Sequence, residues 1–200
     1  MKKSYEMDLC NGPILKKVLA YSFPLMLSGV LQLLFNAADV IVVGRFAGSQ
    51  SLAAVGSTTS LINLLINVFI GLSIGANVLV SRYYGARNDR DMSDTIHTAI
   101  TVSLVSGVIL VFVGVLTSRF WLELMGTPDD VIDLAVLYMS IYFAGMPATM
   151  AYNFGSAILR AVGDTRRPLY FLTVAGVINA CLALVFVIQI HMDVAGVALA

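Results

Sequence analysis

Long runs of apolar residues alternate with short polar connections along the chain. Because the hydrocarbon core of a bilayer is about 30 Å thick, a helix needs about 20 consecutive apolar residues to cross it. Five runs meet this requirement, and a sixth begins near the end of the sequence. They cover about 18–43, 52–80, 95–118, 131–159 and 169–190, and the incomplete run covers 194–200. The pattern predicts an all-α polytopic membrane protein with five transmembrane helices and the start of a sixth.

No linker or composition shift divides this pattern into separate domains. We expect residues 1–13 to form a cytoplasmic N-terminal tail and residues 14–200 to form one transmembrane lobe. The sixth apolar run reaches the end of the sequence without a polar flank. We therefore interpret the chain as part of a longer protein.

Basic residues mark one side of the expected membrane, since ten of the twelve fall into three clusters separated by pairs of apolar runs. The clusters are Lys2, Lys3, Lys16 and Lys17, then Arg82, Arg87 and Arg90, then Arg160, Arg166 and Arg167. Short cytoplasmic loops are rich in Lys and Arg. The clusters therefore predict a cytoplasmic N-terminus, and the acidic connection between the third and fourth runs fits the outer side. The expected location is the plasma (inner) membrane, which the chain would cross several times.

Composition narrows the function further. Hydrophobic residues make up 58% of the chain and charged residues 12%, with zero formal net charge, so a nucleic-acid partner is not expected. Cys10 and Cys181 suggest neither a disulfide framework nor a metal site. The chain has only two histidines, His97 and His191, and no hydrolase or metalloprotease motif. We therefore expect neither an enzyme nor a cofactor.

Polar residues recur every three or four positions in three of the runs, so each set lies on one helical face. The sets are Pro24, Ser28, Gln32, Asn36 and Asp39 in the first run, Gly56, Ser60, Asn63, Asn67 and Gly71 in the second, and Tyr138, Tyr142, Gly145, Thr149, Tyr152 and Ser156 in the fourth. These faces predict a polar cavity. The residues expected to line it are Gln32, Asn63, Asn67, Tyr138, Tyr142 and Tyr152. The alternative is that small and polar residues only pack helices together.

Asp39 places a carboxylate inside the first apolar run. A charge in hydrocarbon is costly unless it is hydrated, paired or protonated, and removal from water favours the protonated form. We therefore predict that Asp39, with Asn36 on the same face, binds a coupling proton or cation. The alternative is that Asp39 reaches outer water, because it lies about 7 Å along an ideal helix from Gly44. Pro24 removes one backbone hydrogen bond and is the predicted hinge, with a static kink as the alternative.

Several short segments, in their order and spacing, resemble the multidrug and toxic compound extrusion (MATE) family. They are Phe23-Pro24, Asp39 with Val43-Gly44-Arg45, the segment 52–56, the loop 84–87 and the loop 158–168. The resemblance implies two six-helix lobes, of which this chain supplies most of the first while the second is absent. It also implies that Asp39 is a proton or sodium site, with Asn179 as the matching polar residue of the fifth helix. Many relatives carry an acidic residue where this chain has Ala183.

The resemblance implies a secondary active transporter that exports organic cations and drugs by alternating access, coupled to proton or sodium entry. The expected partners are the bilayer, small and often cationic organic substrates, and a second six-helix lobe. One alternative is a flippase for lipid-linked oligosaccharides, which would need a more basic cavity than these spans provide. Another is a truncated lobe with no transport activity of its own.

Overall fold

The computed structural model describes residues 13–200, and this part of the chain is almost entirely helical. Its elements are α1 (Ile14–Val42), α2 (Gly48–Gly85), α3 (Asp89–Leu124), α4 (Asp129–Ala144), α5 (Met146–Ala161), α6 (Arg166–Leu184) and α7 (Asp193–Leu199), with π-helical turns at Val43–Ala47 and Val185–Gln189. No β-strand occurs within 13–200. The predicted all-α class is confirmed. Lys2, Lys3, Cys10 and most of the predicted tail lie outside the described residues.

Three helical stretches are long and apolar enough to cross a membrane, and a bent pair of helices makes a fourth. The three are Ile14–Gly85, Asp89–Leu124 and Arg166–Gln189, and the pair is Asp129–Ala144 with Met146–Ala161. The first stretch has 72 residues. A straight helix of that length would extend about 108 Å, which is more than three times the thickness of the hydrocarbon core. The stretch must therefore turn back on itself.

Two hydrogen bonds show that the first stretch is a hairpin. Tyr21, near the start of α1, donates to the carbonyl oxygen of Arg160 at 3.0 Å, while Ser81, near the end of α2, lies 3.4 Å from that of Ala161. Since these carbonyls are neighbours, α1 and α2 run in opposite directions. The chain reverses at Gly48, whose φ of 87° and ψ of 174° lie outside the helical region. The polar connection expected between residues 43 and 52 is thus a π-helical turn and one glycine.

The predicted fourth span, 131–159, is a broken helix. Its two halves, α4 and α5, meet at Gly145 with an angle of 49° between them. Pro147 has no backbone N–H, so the carbonyl of Phe143 loses its helical partner at this point. Two glycines of α3 receive the residues on either side of the bend, because Gly114 packs against Phe143 and Gly107 against Pro147.

The helices form a tightly packed group and a less embedded pair. Helices α2, α3, α4 and α5 pack on one another, whereas α1 packs mainly on α6. Fully buried side chains of the core include Leu110, Leu122, Met139, Phe143, Met146, Met150 and Phe154. The α1–α6 contact is close, since the ring of Phe35 occupies the space where a side chain on Gly176 would lie. The two π-helical turns that follow α1 and α6 also contact each other.

Candidate functional site

Asp39 lies on α1, four residues before the π-helical turn. The residue is half-buried, and its Oδ1 is sealed from solvent without a hydrogen-bond partner among residues 13–200. Leaving a buried polar group unpaired costs about 1–3 kcal/mol, and more when the group is charged. The geometry therefore favours a neutral carboxyl group or one that holds a cation.

Two tyrosines of α4 lie beside Asp39. Tyr138 and Tyr142 are one helical turn apart, and their rings stack with centroids 6.0 Å apart and an interplanar angle of 26°. Both are close enough to Asp39 to interact with its charge. Each ring packs against the core of the lobe. The structure thus brings together three of the residues that the sequence placed on separate polar faces.

Asn179 lies at the level of Asp39 on the neighbouring helix. Helices α1 and α6 run in the same direction, because Tyr21 marks the basic end of α1, the basic residues Arg166 and Arg167 begin α6, and the π-helical turns after both helices meet. Phe35 contacts Gly176. Asp39 is four residues beyond Phe35 and Asn179 is three beyond Gly176, so both lie about one turn further along. Within residues 13–200 no hydrogen bond links the two side chains.

The position one turn after Asn179 on α6 is closed in this chain. Ala183 is fully buried at 0% exposure, one turn after Asn179. A second carboxylate at this position would need neighbouring side chains to move. Within the described residues, α6 therefore brings no second carboxylate to the level of Asp39.

Four of the predicted polar residues face away from the core. Gln32 and Asn36 are exposed on α1, and Asn63 and Asn67 are exposed on α2. Helix α2 packs on α3, α4 and α5 rather than against the length of α1, so the structure does not join its polar face to the Asp39 group. These four side chains present polar groups on the surface of the lobe.

Tyr152 does not belong to the Asp39 group. Its hydroxyl donates to the carbonyl oxygen of Pro168 at 3.2 Å, at the basic end of the lobe. Tyr21 marks the same end through its bond to Arg160, and it lies 18 positions before Asp39, or about 27 Å along an ideal helix. The bend at Gly145 divides the single stripe that the sequence predicted, so Tyr152 faces a different part of the molecule from Tyr138 and Tyr142.

Pro24 is buried inside α1, which continues past it without a break. Proline provides no N–H, so the carbonyl of Ala20 has no partner in the helix at this point. One turn later, the hydroxyl of Ser28 donates to the carbonyl oxygen of Pro24 at 2.8 Å, an arrangement that often bends helices. These two features make this part of α1 easier to bend, which fits the predicted hinge.

A cluster at the basic end was not identified from the sequence as a packed site. Asp164 is only 1% exposed, and its Oδ1 accepts hydrogen bonds from the backbone N–H groups of Arg166 and Arg167, each at 3.1 Å. Asn77 of α2 donates to the carbonyl of Ala157 at 2.6 Å nearby. The available signal was an aspartate two residues before the start of α6, close to where an N-terminal cap is expected.

The fold and the site together define a multi-helix membrane lobe with a carboxylate inside one of its transmembrane helices. The family model described as MatE matches residues 24–185. The chain belongs to the MatE family, so the resemblance seen in the sequence is confirmed at the level of the family.

Two relatives from Bacillus subtilis (strain 168) are similar over most of this chain. The probable multidrug resistance protein YoeA is 36% identical over 82% of this chain and 36% of its own length. The probable multidrug resistance protein YpnP is 31% identical over 96% of this chain and 43% of its own length. A solved MOP superfamily transporter from Pyrococcus furiosus, described as having a binding pocket of reverse polarity, superposes with a TM-score of 0.90 at 27% identity. It matches 99% of this chain and 44% of that structure, so the chain spans less than half the length of each of these proteins.

Proposed function

We propose that this chain forms one lobe of a cation-coupled antiporter that exports organic cations by alternating access. The observation that carries the proposal is the sealed, unpartnered oxygen of Asp39 beside Tyr138 and Tyr142. The relatives described as probable multidrug resistance proteins support the substrate class. The proposal is one of transport and not of catalysis, and a second lobe and the bilayer are its required partners.

In this mechanism a cation from outside binds the Asp39 carboxylate and releases the substrate outward. Binding removes the negative charge that requires water or a polar partner, so α1 can then pack differently against α6. Release of the cation to the inside restores the charge. Each elementary charge moved across 100 mV contributes about 2.3 kcal/mol, so one cation per cycle can sustain a large substrate gradient.

The attachment of α1 suggests how such a change would move through the lobe. Tyr21 fixes the basic end of α1 to the carbonyl of Arg160, whereas the Asp39 end contacts mainly α6 and the π-helical turns. Pro24 lies between these two ends. Bending at Pro24 would therefore move Asp39 while the Tyr21 end stays in place.

The proton is the coupling ion that the side chains favour. A proton needs one carboxylate oxygen, and Asp39 supplies it. A hard metal cation is held by several oxygen ligands at once, and the buried Ala183 removes a second carboxylate from this site. Transport into vesicles driven by a pH gradient, with and without a sodium gradient, tests this choice; a requirement for sodium would overturn it.

Charge favours an organic cation over a lipid-linked pyrophosphate as the substrate. The spans 18–43, 52–80, 95–118, 131–159 and 169–190 contain no Lys or Arg. When Asp39 is ionised, its negative charge is therefore not balanced by a basic residue within these spans. The basic loops are consistent with a cytoplasmic N-terminus in the inner membrane, so export would run away from the basic side.

The decisive experiment replaces Asp39 with Asn in the complete gene. We expect Asp39→Asn to abolish export of a fluorescent organic cation while the amount of protein in the membrane is unchanged, because the amide cannot bind and release a proton. Asp130→Asn, which removes an exposed acid from the first turn of α4, is the matched control and should transport normally. Full export by Asp39→Asn would overturn the proposal.

A further inference from the structure

A cleft of about 410 Å³ lies between α2 and α3, on a part of the lobe that the proposed transport mechanism does not use. Its apolar lining consists of Leu72, Gly75, Ala76, Leu79, Ala99, Val102 and Phe154. Its polar lining consists of Asp94, Thr95 and Thr98, all from the N-terminal part of α3. The cleft thus combines a long apolar surface with a polar group at one end.

The cleft lies at the membrane border on the side of the basic loops. Leu79 is one helical turn before Arg82 on α2, and Asp94 is one turn after Arg90 on α3. The polar end is therefore level with lipid headgroups, and the apolar lining extends from there into the hydrocarbon region. By the distribution of Lys and Arg this is the cytoplasmic leaflet.

The cleft is separate from the polar face of α2. On an ideal helix, the residues of α2 that line the cleft lie about 130° around the axis from the face that carries Asn63 and Asn67. Helix α1, which carries Asp39, contributes no residue to the cleft. A ligand bound in the cleft would therefore not occupy the proposed coupling site.

Asp94 is the polar group of the cleft that remains available to a ligand. The hydroxyls of Thr95 and Thr98 donate to the backbone carbonyls of Asp91 and Asp94, at 2.7 and 2.8 Å. The carboxylate of Asp94 forms no ion pair within residues 13–200, and neither does the guanidinium of Arg90, which is one turn away on the same face of α3. An unpaired negative group thus lines the polar end of the cleft, and an unpaired positive group lies one helical turn beyond it, outside the lining.

We propose that the cleft binds a phospholipid whose headgroup carries both a phosphate and a primary ammonium, as phosphatidylethanolamine does. The ammonium pairs with Asp94, the phosphate pairs with Arg90, and one acyl chain lies along Leu72, Leu79 and Phe154. An anionic lipid without an ammonium would place its phosphate beside an unpaired Asp94. A lone organic cation would be repelled by Arg90 and the other basic residues of the loop.

The binding test uses native mass spectrometry of the purified protein, expressed from its complete gene and titrated with phosphatidylethanolamine or phosphatidylglycerol of identical acyl chains. We expect phosphatidylethanolamine to bind about tenfold more tightly, the size expected for one charge-assisted pair. Asp94→Asn should remove this preference. Asp89→Asn, an exposed acid about 140° around α3 from Asp94, is the matched control and should keep it.

A second variant tests the apolar part of the cleft. A Cβ added at Gly75 would meet no atom within 4 Å, so the side chain of Gly75→Phe starts into the open space of the cleft. We expect it to weaken the binding of both lipids about tenfold or more. Gly29→Phe, at an equally open position on α1, should bind normally, and thermal unfolding confirms that both variants are folded.

Three results would overturn the proposal. The first is equal affinity of the unaltered protein for the two lipids. The second is a preference that survives Asp94→Asn, or lipid binding that survives Gly75→Phe. The third is displacement of the lipid by tetraphenylphosphonium in a manner that depends on Asp94, which would identify the occupant as an organic cation.

Discussion

Two aspartates at opposite ends of the lobe show how differently the fold treats the same side chain. Asp164, at the basic end, accepts two backbone hydrogen bonds at the start of α6, and its other oxygen lies 3.1 Å from Nε of Arg167. Asp39, near the far end of α1, has a sealed oxygen with no partner in the described part of the chain. Both aspartates have an oxygen buried from water, but only Asp164 also has backbone hydrogen bonds and an arginine beside it.

The difference separates an anchoring carboxylate from one that can change state. Backbone N–H groups at a helix N-terminus stabilise a negative charge at all times, so Asp164 can stay ionised and hold the α5–α6 connection. Asp39 lacks such donors, so its burial costs more free energy when the carboxylate is charged than when it is neutral. The contrast predicts opposite responses when each charge is removed.

The largest expected effect is at Asp164. Asp164→Ala removes two partly buried hydrogen bonds and an ion pair and leaves two backbone N–H groups without their acceptor, so we expect the protein to lose about 3 kcal/mol of stability. Thermal unfolding in detergent measures this loss. Asp164→Asn keeps an oxygen acceptor for the backbone and should lose clearly less. Equal stability of Asp164→Ala and the unaltered protein would contradict the anchoring role.

A smaller effect is expected at Tyr21, which ties α1 to the same basic end. Tyr21→Phe removes the hydrogen bond to the carbonyl of Arg160 and should cost about 1 kcal/mol. Amide hydrogen exchange in the first turns of α1 should become faster, while exchange near Asp39 should change little. Tyr170→Phe, at an exposed ring without a hydrogen bond among the described residues, is the control. Unchanged exchange in Tyr21→Phe would show that this end of α1 is held by other contacts.

The smallest effect on stability is expected at Asp39. Asp39→Asn removes a charge that no described side chain pairs with, so its thermal unfolding should match the unaltered protein within about 0.5 kcal/mol or show a slight gain. The comparison is sharpened by measuring it beside Asp164→Asn in the same detergent. A loss as large as that of Asp164→Ala would mean that Asp39 anchors the fold as well.

Much of the fold could be predicted because a bilayer permits few backbone conformations. Backbone groups must be satisfied inside each span, so long apolar runs become helices, and the spans found from the sequence correspond to α1 to α6. The apolar pattern also placed Asp39 correctly within the first helix. The bend at Gly145 was missed although Pro147 signals it, because the apolar pattern runs through the break without interruption.

The less predictable part of the site depends on tertiary contacts. Sequence spacing placed Tyr152 with Tyr138 and Tyr142, but the bend turns its hydroxyl towards Pro168. Asp164 lies in a basic loop, where a charged residue is expected to be solvated, and only packing of the helices buries it. The polar stripes suggested that Asp39 could lie near the tyrosines of α4, but only the folded arrangement of the helices brings the three side chains within reach of one another.

Pro24 lies inside α1, and Pro147 lies beside the bend of the broken α4–α5 span. Two glycines of α3 pack against the broken span at its bend. Gly107 packs against Pro147 and Gly114 against Phe143, so the broken span contacts α3 closely on both sides of its bend. We interpret this bend as a fixed feature of the lobe. Pro24 lies in a helix that continues past it without a break and packs mainly on α6. If α1 bends at Pro24 as proposed, it would therefore move relative to a span that close packing already holds in its bent shape.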